Sequence, residues 1–403
     1  MSAIHIALLG HGTVGKGVYA TIQSHQKKLQ ALFGKEVKIV GVLVKNLYKH
    51  HLEDPSVLLT DDFKKIISLE KLDVVIDAIS GKEPCYSYLK QAIQRGCHVI
   101  TANKEMFAHH GADLKQLAIE NNVSLGFEAT VAGGIPVIQT LRQLLNVNNI
   151  QKIQGILNGT SNFILTKMRE ENLSFESALK LAQDNGFAEA DPTNDIEGFD
   201  AFYKAMILSE VAFGKSPDWE QVIRQGIRGI SYEQIELFSS LGLRFKHVAS
   251  IEQTANGIQC SVKPVLVNKQ HPFYHVEGVQ NAVSIDGDIV GNISLQGPGA
   301  GMFPTASAIV EDLVHIDRKI TAPSHSEQKF AKSEAAVVSY WAICGDLNTS
   351  LLPPATEVIE RVHHNVFIVR SSEEDFLNSI QIPHVQIYQV LGEVYKEKVV
   401  ATY

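Results

Sequence analysis

A continuous apolar run, Ala3–Leu9, is followed at once by Gly10-His11-Gly12-Thr13-Val14-Gly15 and then by a helix-patterned stretch over residues 14–30. A bare G-x-G-x-x-G is a weak pattern. Here a strand stands before it, a helix after it, and a second β-branched run follows at residues 37–44, which is the context that gives it meaning. Gly10 permits the tight turn, Gly12 lets the backbone approach a pyrophosphate, and Gly15 lets the helix pack close to the strand. The unpaired N–H groups at the helix start, at Thr13 and Val14, suit an anion.

The pattern continues through residues 73–79 (strand), 84–95 (helix, stopping at Gly96), 98–100 (strand), 113–120 (helix) and 123–127 (strand). Short buried strands separated by helices predict an α/β protein opening with a Rossmann-type doubly wound parallel sheet. The middle reads as α+β. Helices are expected over 135–145, 162–168, 175–184, 201–213 and 306–315, strands over 152–157 and 262–267, and a loop over 188–195. Residues 321–328 read as a connection. The remainder reads as a small α+β unit, with strands over 336–344, 365–370, 385–390 and 398–402 and helices over 356–362 and 373–380. The division is therefore 1–135, 136–320 and 321–403, in keeping with a length of 403 residues and the usual domain size.

Charge narrows the partners. With 36 Lys+Arg against 44 Asp+Glu the net charge is −8, which gives no electrostatic reason to expect nucleic acid or an anionic membrane. No apolar run approaches the ~18 residues of a membrane span. Met1-Ser2-Ala3-Ile4-His5 reads as a strand beginning at once rather than a signal peptide. Cys85, Cys97, Cys260 and Cys344 are scattered without ligand spacing, as expected of reduced core thiols in a cytoplasmic protein.

Several positions carry chemistry. The second strand ends Val44-Lys45-Asn46, with no carboxylate to accept from a ribose 2′-hydroxyl. Lys45 would instead attract a 2′-phosphate, so NADP is expected over NAD. Lys104 ends Thr101-Ala102-Asn103-Lys104 after the fourth strand and so points toward the nicotinamide end. Asp200 and Lys204 share a helix face within the almost wholly apolar stretch 197–213. Ionisable groups buried in this way are site candidates, although a structural ion pair remains the alternative. Glu189, Asp191 and Asp195 bring carboxylates nearby, suited to a substrate with an ammonium group or simply forming a solvated acidic loop.

These motifs, taken in order, resemble homoserine dehydrogenase over roughly residues 1–320. The resemblance rests on Gly10–Gly15, Thr101–Lys104, Phe127-Glu128-Ala129-Thr130-Val131-Ala132-Gly133-Gly134-Ile135-Pro136 and Gly155-Ile156-Leu157-Asn158-Gly159-Thr160-Ser161-Asn162. It continues through Ala188-Glu189-Ala190-Asp191-Pro192, the spacing from Asp195 to Lys204, and Gly299-Ala300-Gly301 leading into Pro304-Thr305-Ala306-Ser307-Ala308. It implies NAD(P)-dependent interconversion of L-homoserine and L-aspartate 4-semialdehyde, serving threonine, methionine and isoleucine synthesis. Lys204 would be the proton donor/acceptor, with Lys104 beside substrate and cofactor. Glu189 and Asp200, with Asp195 and Thr160, would bind substrate. Ser80, Gly81, Asn103, Gly186 and Gly301 would join the Gly-rich turn and Lys45 at the cofactor. A monovalent cation, usually sodium, would be held by Glu128, Val131, Gly133 and Ile135, and the central sheet would pair two copies into a homodimer or homotetramer. The C-terminal part matches a regulatory ACT domain in size but has Gly345-Asp346-Leu347-Asn348 where a Pro-Gly turn is usual. A degenerate or structural module is an equal reading there, and threonine inhibition is not implied. An aspartate-semialdehyde dehydrogenase would need an activated cysteine, and none of the four lies in a suitable turn. A nonenzymatic NADP(H) sensor would not need the Asp200/Lys204 pair.

Overall fold

The protein is described by a computed structural model over residues 3–254, 257–316, 338–347, 352–354, 356–363, 365–372 and 384–392. Six parallel strands build the first sheet: β1 (Ala3–Leu9), β2 (Glu36–Leu43), β3 (Leu58–Thr60), β4 (Val74–Asp77), β5 (His98–Thr101) and β6 (Leu125–Gly126), in the spatial order β3-β2-β1-β4-β5-β6. The order reverses between β1 and β4, and ligands of such sheets bind in the crevice opened there at the carboxyl ends of the strands. The helices are α1 (Thr13–Ser24), α2 (Gln26–Phe33), α3 (Phe63–Ile67), α4 (Cys85–Gln94) and α5 (Lys104–Glu120). Ile6, Leu8 and Ile76 share one core with Val18 and Ile22 of α1. Ala7, Leu9 and Val75 share the other with Leu89 and Ile93 of α4. Burial on both faces is why these strands read as unbroken apolar runs.

Local departures from the sequence reading have physical causes. The helix expected over 14–30 parts at His25, where the Ser24 hydroxyl donates to the Ala20 carbonyl oxygen at 2.8 Å and lies 2.9 Å from His25 Nδ1. Such side-chain bonds compete with the helix. The helix expected over 113–120 is the second half of α5, which begins at Lys104 because the Asn103 side chain accepts from the Met106 N–H at 3.0 Å. The strand expected over 123–127 pairs only at Leu125–Gly126. Strand β3 has three residues, too few for a periodicity to show.

Beyond β6, α6 (Val137–Gln139) runs into a π-helical turn over Thr140–Leu144, closed by the Leu145 N–H on the Thr140 carbonyl oxygen at 3.1 Å. The expected helix over 135–145 is thus a short α turn and a π turn. Next come β7 (Ile150–Ile156), α7 (Gly159–Glu170), α8 (Phe175–Asp184), α9 (Thr193–Ile196), α10 (Phe199–Phe213), β8 (Ile223–Arg224) and α11 (Tyr232–Ser240). The presumed acidic loop 188–195 therefore ends inside α9. The chain continues as β9 (Arg244–Thr254), β10 (Gly257–Val267), β11 (Gln280–Gly287), β12 (Gly291–Pro298) and α12 (Met302–His315). The second sheet is ordered β12-β11-β7-β9-β10 and then carries β16 (Gln386–Leu391), β13 (Ser339–Cys344), β15 (Val366–Ser371) and β14 (Glu357–His363). Helix α10 lies on it, with Phe202, Met206 and Val211 packed among Ile153, Ile251, Val262 and Val283.

Strand β16 runs parallel to β10, with Val390 opposite Leu266, so the C-terminal strands extend the second sheet. Residues 356–362, expected to be helical, form most of β14, where Val358 pairs with Val369 of β15 and the β-branched Val358, Ile359 and Val362 suit a strand. The helix over 373–380, the strand over 398–402 and the connection over 321–328 lie outside the described residues. Helix α12 follows β12 of the second sheet in the chain but packs on the first sheet, with Ala306, Ile309 and Leu313 in the core beside Val18. A Cβ at Gly17 of α1 would stand 2.5 Å from the Met302 carbonyl oxygen. Among the described residues no helix is long and apolar enough to cross a membrane.

Candidate active site

Lys104 is the first residue of α5, directly beyond the carboxyl end of β5, while Asp200 and Lys204 lie on the first turns of α10. The structure joins the three. Asp200 Oδ1 lies 2.9 Å from Lys104 Nζ, and Asp200 Oδ2 lies 2.7 Å from Lys204 Nζ. Lys204 Nζ also donates to the Leu157 carbonyl oxygen at 2.6 Å. An ammonium carries three donors, so Lys204 keeps one beyond these two. The Lys204 and Asp200 side chains are 9% and 7% exposed, against 44% for Lys104, so Lys104 is the one open to the cleft.

Asn158 completes the cluster. Its Nδ2 donates to Asp195 Oδ1 at 2.7 Å and to Asp200 Oδ2 at 2.9 Å, and its Oδ1 accepts from the Ser161 N–H at 2.7 Å, capping α7. One amide thus fixes two carboxylates to a helix start. Thr160 is buried and donates to the Phe187 carbonyl oxygen at 2.7 Å, which ties the segment before Glu189 to α7. Glu189 is exposed and stays outside the hydrogen-bonded cluster, although its charge acts on Lys104. Asn158 stood in the sequence without a role. The signal was an Asn directly before Gly-Thr-Ser at a helix start.

The electrostatics follow from burial and pairing. Burial opposes ionisation of Asp200, but the two lysine charges and the hydrogen bonds from Lys204 and Asn158 outweigh it, holding the carboxyl well below the usual carboxylate range. Lys104 is pushed up, chiefly by Asp200. Burial, with Lys104 adding repulsion, brings Lys204 below an ordinary lysine even though Asp200 pulls the other way. Asp195 is raised by burial and by the charge of Asp200. The site therefore holds one buried amine displaced toward neutrality.

At the Gly-rich turn Gly10 has φ +96°, and a Cβ there would stand 2.8 Å from the Ala78 carbonyl oxygen. A Cβ on Gly15 would run into the Gly10 carbonyl oxygen, whereas nothing lies within 4 Å of one on Gly12. Helix α1 starts at Thr13 and Val14 with no side-chain cap, so its N–H groups are free for an anion. Lys45 and Ser80 are exposed. Asn103 Nδ2 donates to the Gly81 and Ile79 carbonyl oxygens at 2.7 and 3.0 Å, and Asp77 accepts from the Ile79 N–H at 3.0 Å and the Thr101 hydroxyl at 2.9 Å. These bonds shape the loop at the end of β4. Burial raises Asp77 to about 6. Gly186 has φ +73°, and Gly301, at +119°, opens α12. The fit to a dinucleotide is steric and electrostatic: a glycine with open space above it beside an uncapped helix start.

Among the proposed cation ligands, Glu128 is buried and accepts the Ile138 and Gln139 N–H groups at 2.9 and 2.7 Å, and Asp312 accepts the Glu128 N–H at 2.8 Å. Burial, then the charge of Asp312, raises Glu128 to about 8. Val131, Gly133 and Ile135 are backbone candidates on a turn where Ala132 and Gly133 both have positive φ. Burial likewise raises Asp312, to about 7, so both carboxyls resist ionisation until a positive charge joins Arg142 beside them, and the donors are all oxygen, a set that fits a hard cation. Among the described residues no group of three or more His, Cys, Asp or Glu side chains gathers around a metal position. The four cysteines are free, and burial raises Cys85, Cys260 and Cys344 to about 12. No activated thiolate is on offer.

A dinucleotide turn after β1, in a sheet whose β5 leads directly into a lysine bridged to a buried acid–amine pair, is the construction of an oxidoreductase that works on a nicotinamide nucleotide. Comparisons narrow it. A family model described as homoserine dehydrogenase matches residues 136–314, and one described as its NAD binding domain matches residues 10–128. The homoserine dehydrogenase of Bacillus subtilis is 44% identical over 317 residues, 78% of this chain and 73% of that protein. That of Neisseria gonorrhoeae is 39% identical over 322 residues, 80% and 74% of the two. The crystal structure of a homoserine dehydrogenase from Thiobacillus denitrificans superposes with TM-score 0.85 at 32% identity, covering 96% of this chain and 98% of that one. A hyperthermophilic archaeal homoserine dehydrogenase in complex with NADPH gives TM-score 0.69 at 30% identity, covering 80% and 100%. The chain belongs to the homoserine dehydrogenase family and is an NAD(P)-dependent oxidoreductase.

Proposed function

We propose that the enzyme interconverts L-homoserine and L-aspartate 4-semialdehyde, with NADP preferred over NAD, in threonine, methionine and isoleucine synthesis in the cytoplasm. The carrying observation is the remaining donor of Lys204, an amine held between the Leu157 carbonyl oxygen and Asp200. The nicotinamide, when bound, supplies the hydride acceptor and donor. Lys204, when neutral, takes the substrate hydroxyl proton in oxidation, and as ammonium it returns a proton to the forming alkoxide in reduction. Lys104 stabilises the same oxygen by its charge. Asp200, Asp195 and Glu189 attract the substrate ammonium group, and Thr160 holds the 187–189 segment against α7.

Gly10, Gly12, Thr13, Val14 and Gly15 would hold the pyrophosphate, Lys45 a 2′-phosphate, and Ser80, Gly81, Asn103, Gly186 and Gly301 the rest of the cofactor. A sodium ion at Glu128 with the Val131, Gly133 and Ile135 carbonyl oxygens would be structural. Residues 1–135 then serve the cofactor, 136–320 serve substrate and pairing with α12 returning to the first sheet, and 321–403 form the small C-terminal unit. Pairing into a homodimer or homotetramer belongs to the same reading. Absorbance at 340 nm with L-aspartate 4-semialdehyde and NADPH tests the activity. Oxidation of NADPH supports it, and cofactor binding without turnover leaves only a sensor.

A further inference from the structure

His11 fills the middle of the Gly10–Gly12 turn and is 8% exposed. Its ring stands edge-on to Tyr19 of α1, at 5.8 Å between centroids, and to His50, at 5.5 Å. His50 follows a single 3₁₀ turn, Leu47–Lys49, that Asn46 caps by accepting from the Tyr48 N–H at 3.0 Å. Nδ1 is buried without a hydrogen-bond partner in both rings. A buried polar atom left unpaired costs about 1–3 kcal/mol, and a native protein keeps one where a ligand or water completes it.

The two rings come from two particular places. One lies on the turn that takes the pyrophosphate, and the other follows the second strand, whose end meets the adenosine ribose in doubly wound sheets. The pair therefore flanks the ribose and not the nicotinamide. Its surroundings are cationic. The groups acting on His11 are His50 and Lys16, and these, after burial, hold it below the usual histidine range. Lys45 and Lys49 lie on the His50 segment with His51 beyond it. Glu53 and Asp54 act on Tyr19, which stands on another side of His11. The open hydrogen-bonding positions on the two rings thus lie beside cationic side chains, a setting that suits an anion.

We propose that His11 and His50 clasp the 2′-phosphate of NADP and that a proton is taken up as they do so, which links the choice of cofactor to pH. The inference rests on the NADP preference put forward above and adds a mechanism to it. Without ligand, burial first and then the Lys16 charge work against a proton on the His11 imidazole. A phosphate dianion reverses that balance, so its binding takes up protons near neutral pH. The 2′-hydroxyl of NAD carries no charge and takes up none. Affinity for NADPH then rises as pH falls from about 8 toward 6.5, below which the second ionisation of the phosphate, near 6, begins to oppose it.

Calorimetric titration of the full chain with NADPH and with NADH, in two buffers of different ionisation enthalpy near pH 7, counts the protons. The expected result is an uptake of about 0.5–1 proton with NADPH and none with NADH. Replacing the titratable ring by a neutral amide in His50→Gln or His11→Gln should at least halve the uptake. Each should weaken NADPH roughly tenfold, the scale of one charge-assisted hydrogen bond, with NADH affinity as the internal reference and thermal melting as the check on folding. Should His11→Gln not fold, His50→Gln carries the test. No uptake with NADPH, equal uptake with both cofactors, or uptake retained in the variants overturns the pair's role. NADH binding as tight as NADPH sinks the preference itself. A preference that Lys45→Gln abolishes, with no protons taken up in the native chain, leaves the preference standing and overturns the imidazole pair alone.

Discussion

Asp200 and Lys204, one helical turn apart on α10, meet at 2.7 Å with both side chains less than a tenth exposed. The same carboxylate binds Lys104 at 2.9 Å. One buried acid thus couples the amine on the helix to the amine at the end of β5, and the chemistry of the site follows from that coupling.

Removing the shared carboxylate tests the coupling. Breaking one side of a buried charge pair costs about 3–5 kcal/mol, so Asp200→Asn should melt several degrees lower. The loss of its attraction drives Lys204 further below an ordinary lysine. Thermal melting reads the first effect and the pH profile of oxidation the second, and KM for the semialdehyde should rise because an ammonium-binding group is gone.

The pH profile of homoserine oxidation should carry the signature of Lys204. A free lysine titrates near 10.4. Burial and the Lys104 charge place Lys204 below that value, so activity should rise with pH along a limb below the free-lysine value. Lys104→Gln removes a repelling cation, and the limb should then move to higher pH. A limb unmoved by that change would show that Lys104 does not act on the titrating group.

Asn158→Ala removes the bonds to Asp195 and Asp200 and the cap of α7 together. The cap alone is worth about 1 kcal/mol. We expect a moderate loss of stability by denaturant unfolding, with a larger loss of kcat/KM. A variant whose stability fell without a catalytic change would make Asn158 a helix cap only.

Alkylation separates this enzyme from a thiol-dependent semialdehyde dehydrogenase. Burial pushes Cys85, Cys260 and Cys344 up to about 12 and also raises Cys97. Iodoacetamide near neutral pH should leave NADPH oxidation intact. Rapid inactivation protected by the semialdehyde would point to a catalytic thiol.

Much of this was legible in residue types because local chemistry and global position agreed. Gly10, Gly12 and Gly15 announced the turn since the strand before and the helix after each carried their own apolar pattern. Asp200 and Lys204 stood out because charge is conspicuous in a stretch that packs on all sides. What stayed hidden was set by contacts distant in the chain. Asn158 reaches Asp195 and Asp200 across 37 and 42 residues. Asp77 is locked by Thr101, and α12 returns to pack on Gly17 after the intervening strands β7–β12. The β14 segment looked helical because its partner strand, which decides it, follows it in the chain. Glu189 was grouped with the buried acids by sequence proximity, yet it lies exposed outside their hydrogen bonds.

The central claim is that Lys204 moves the proton. Its direct test is the Lys204→Ala variant, shown by circular dichroism to be folded and by fluorescence to bind NADPH, and then assayed for semialdehyde reduction at 340 nm. Loss of the buried donor should lower kcat by about 10²–10⁴ while NADPH affinity stays near that of the parent. Turnover at the parental rate in a folded, cofactor-binding variant would contradict the account.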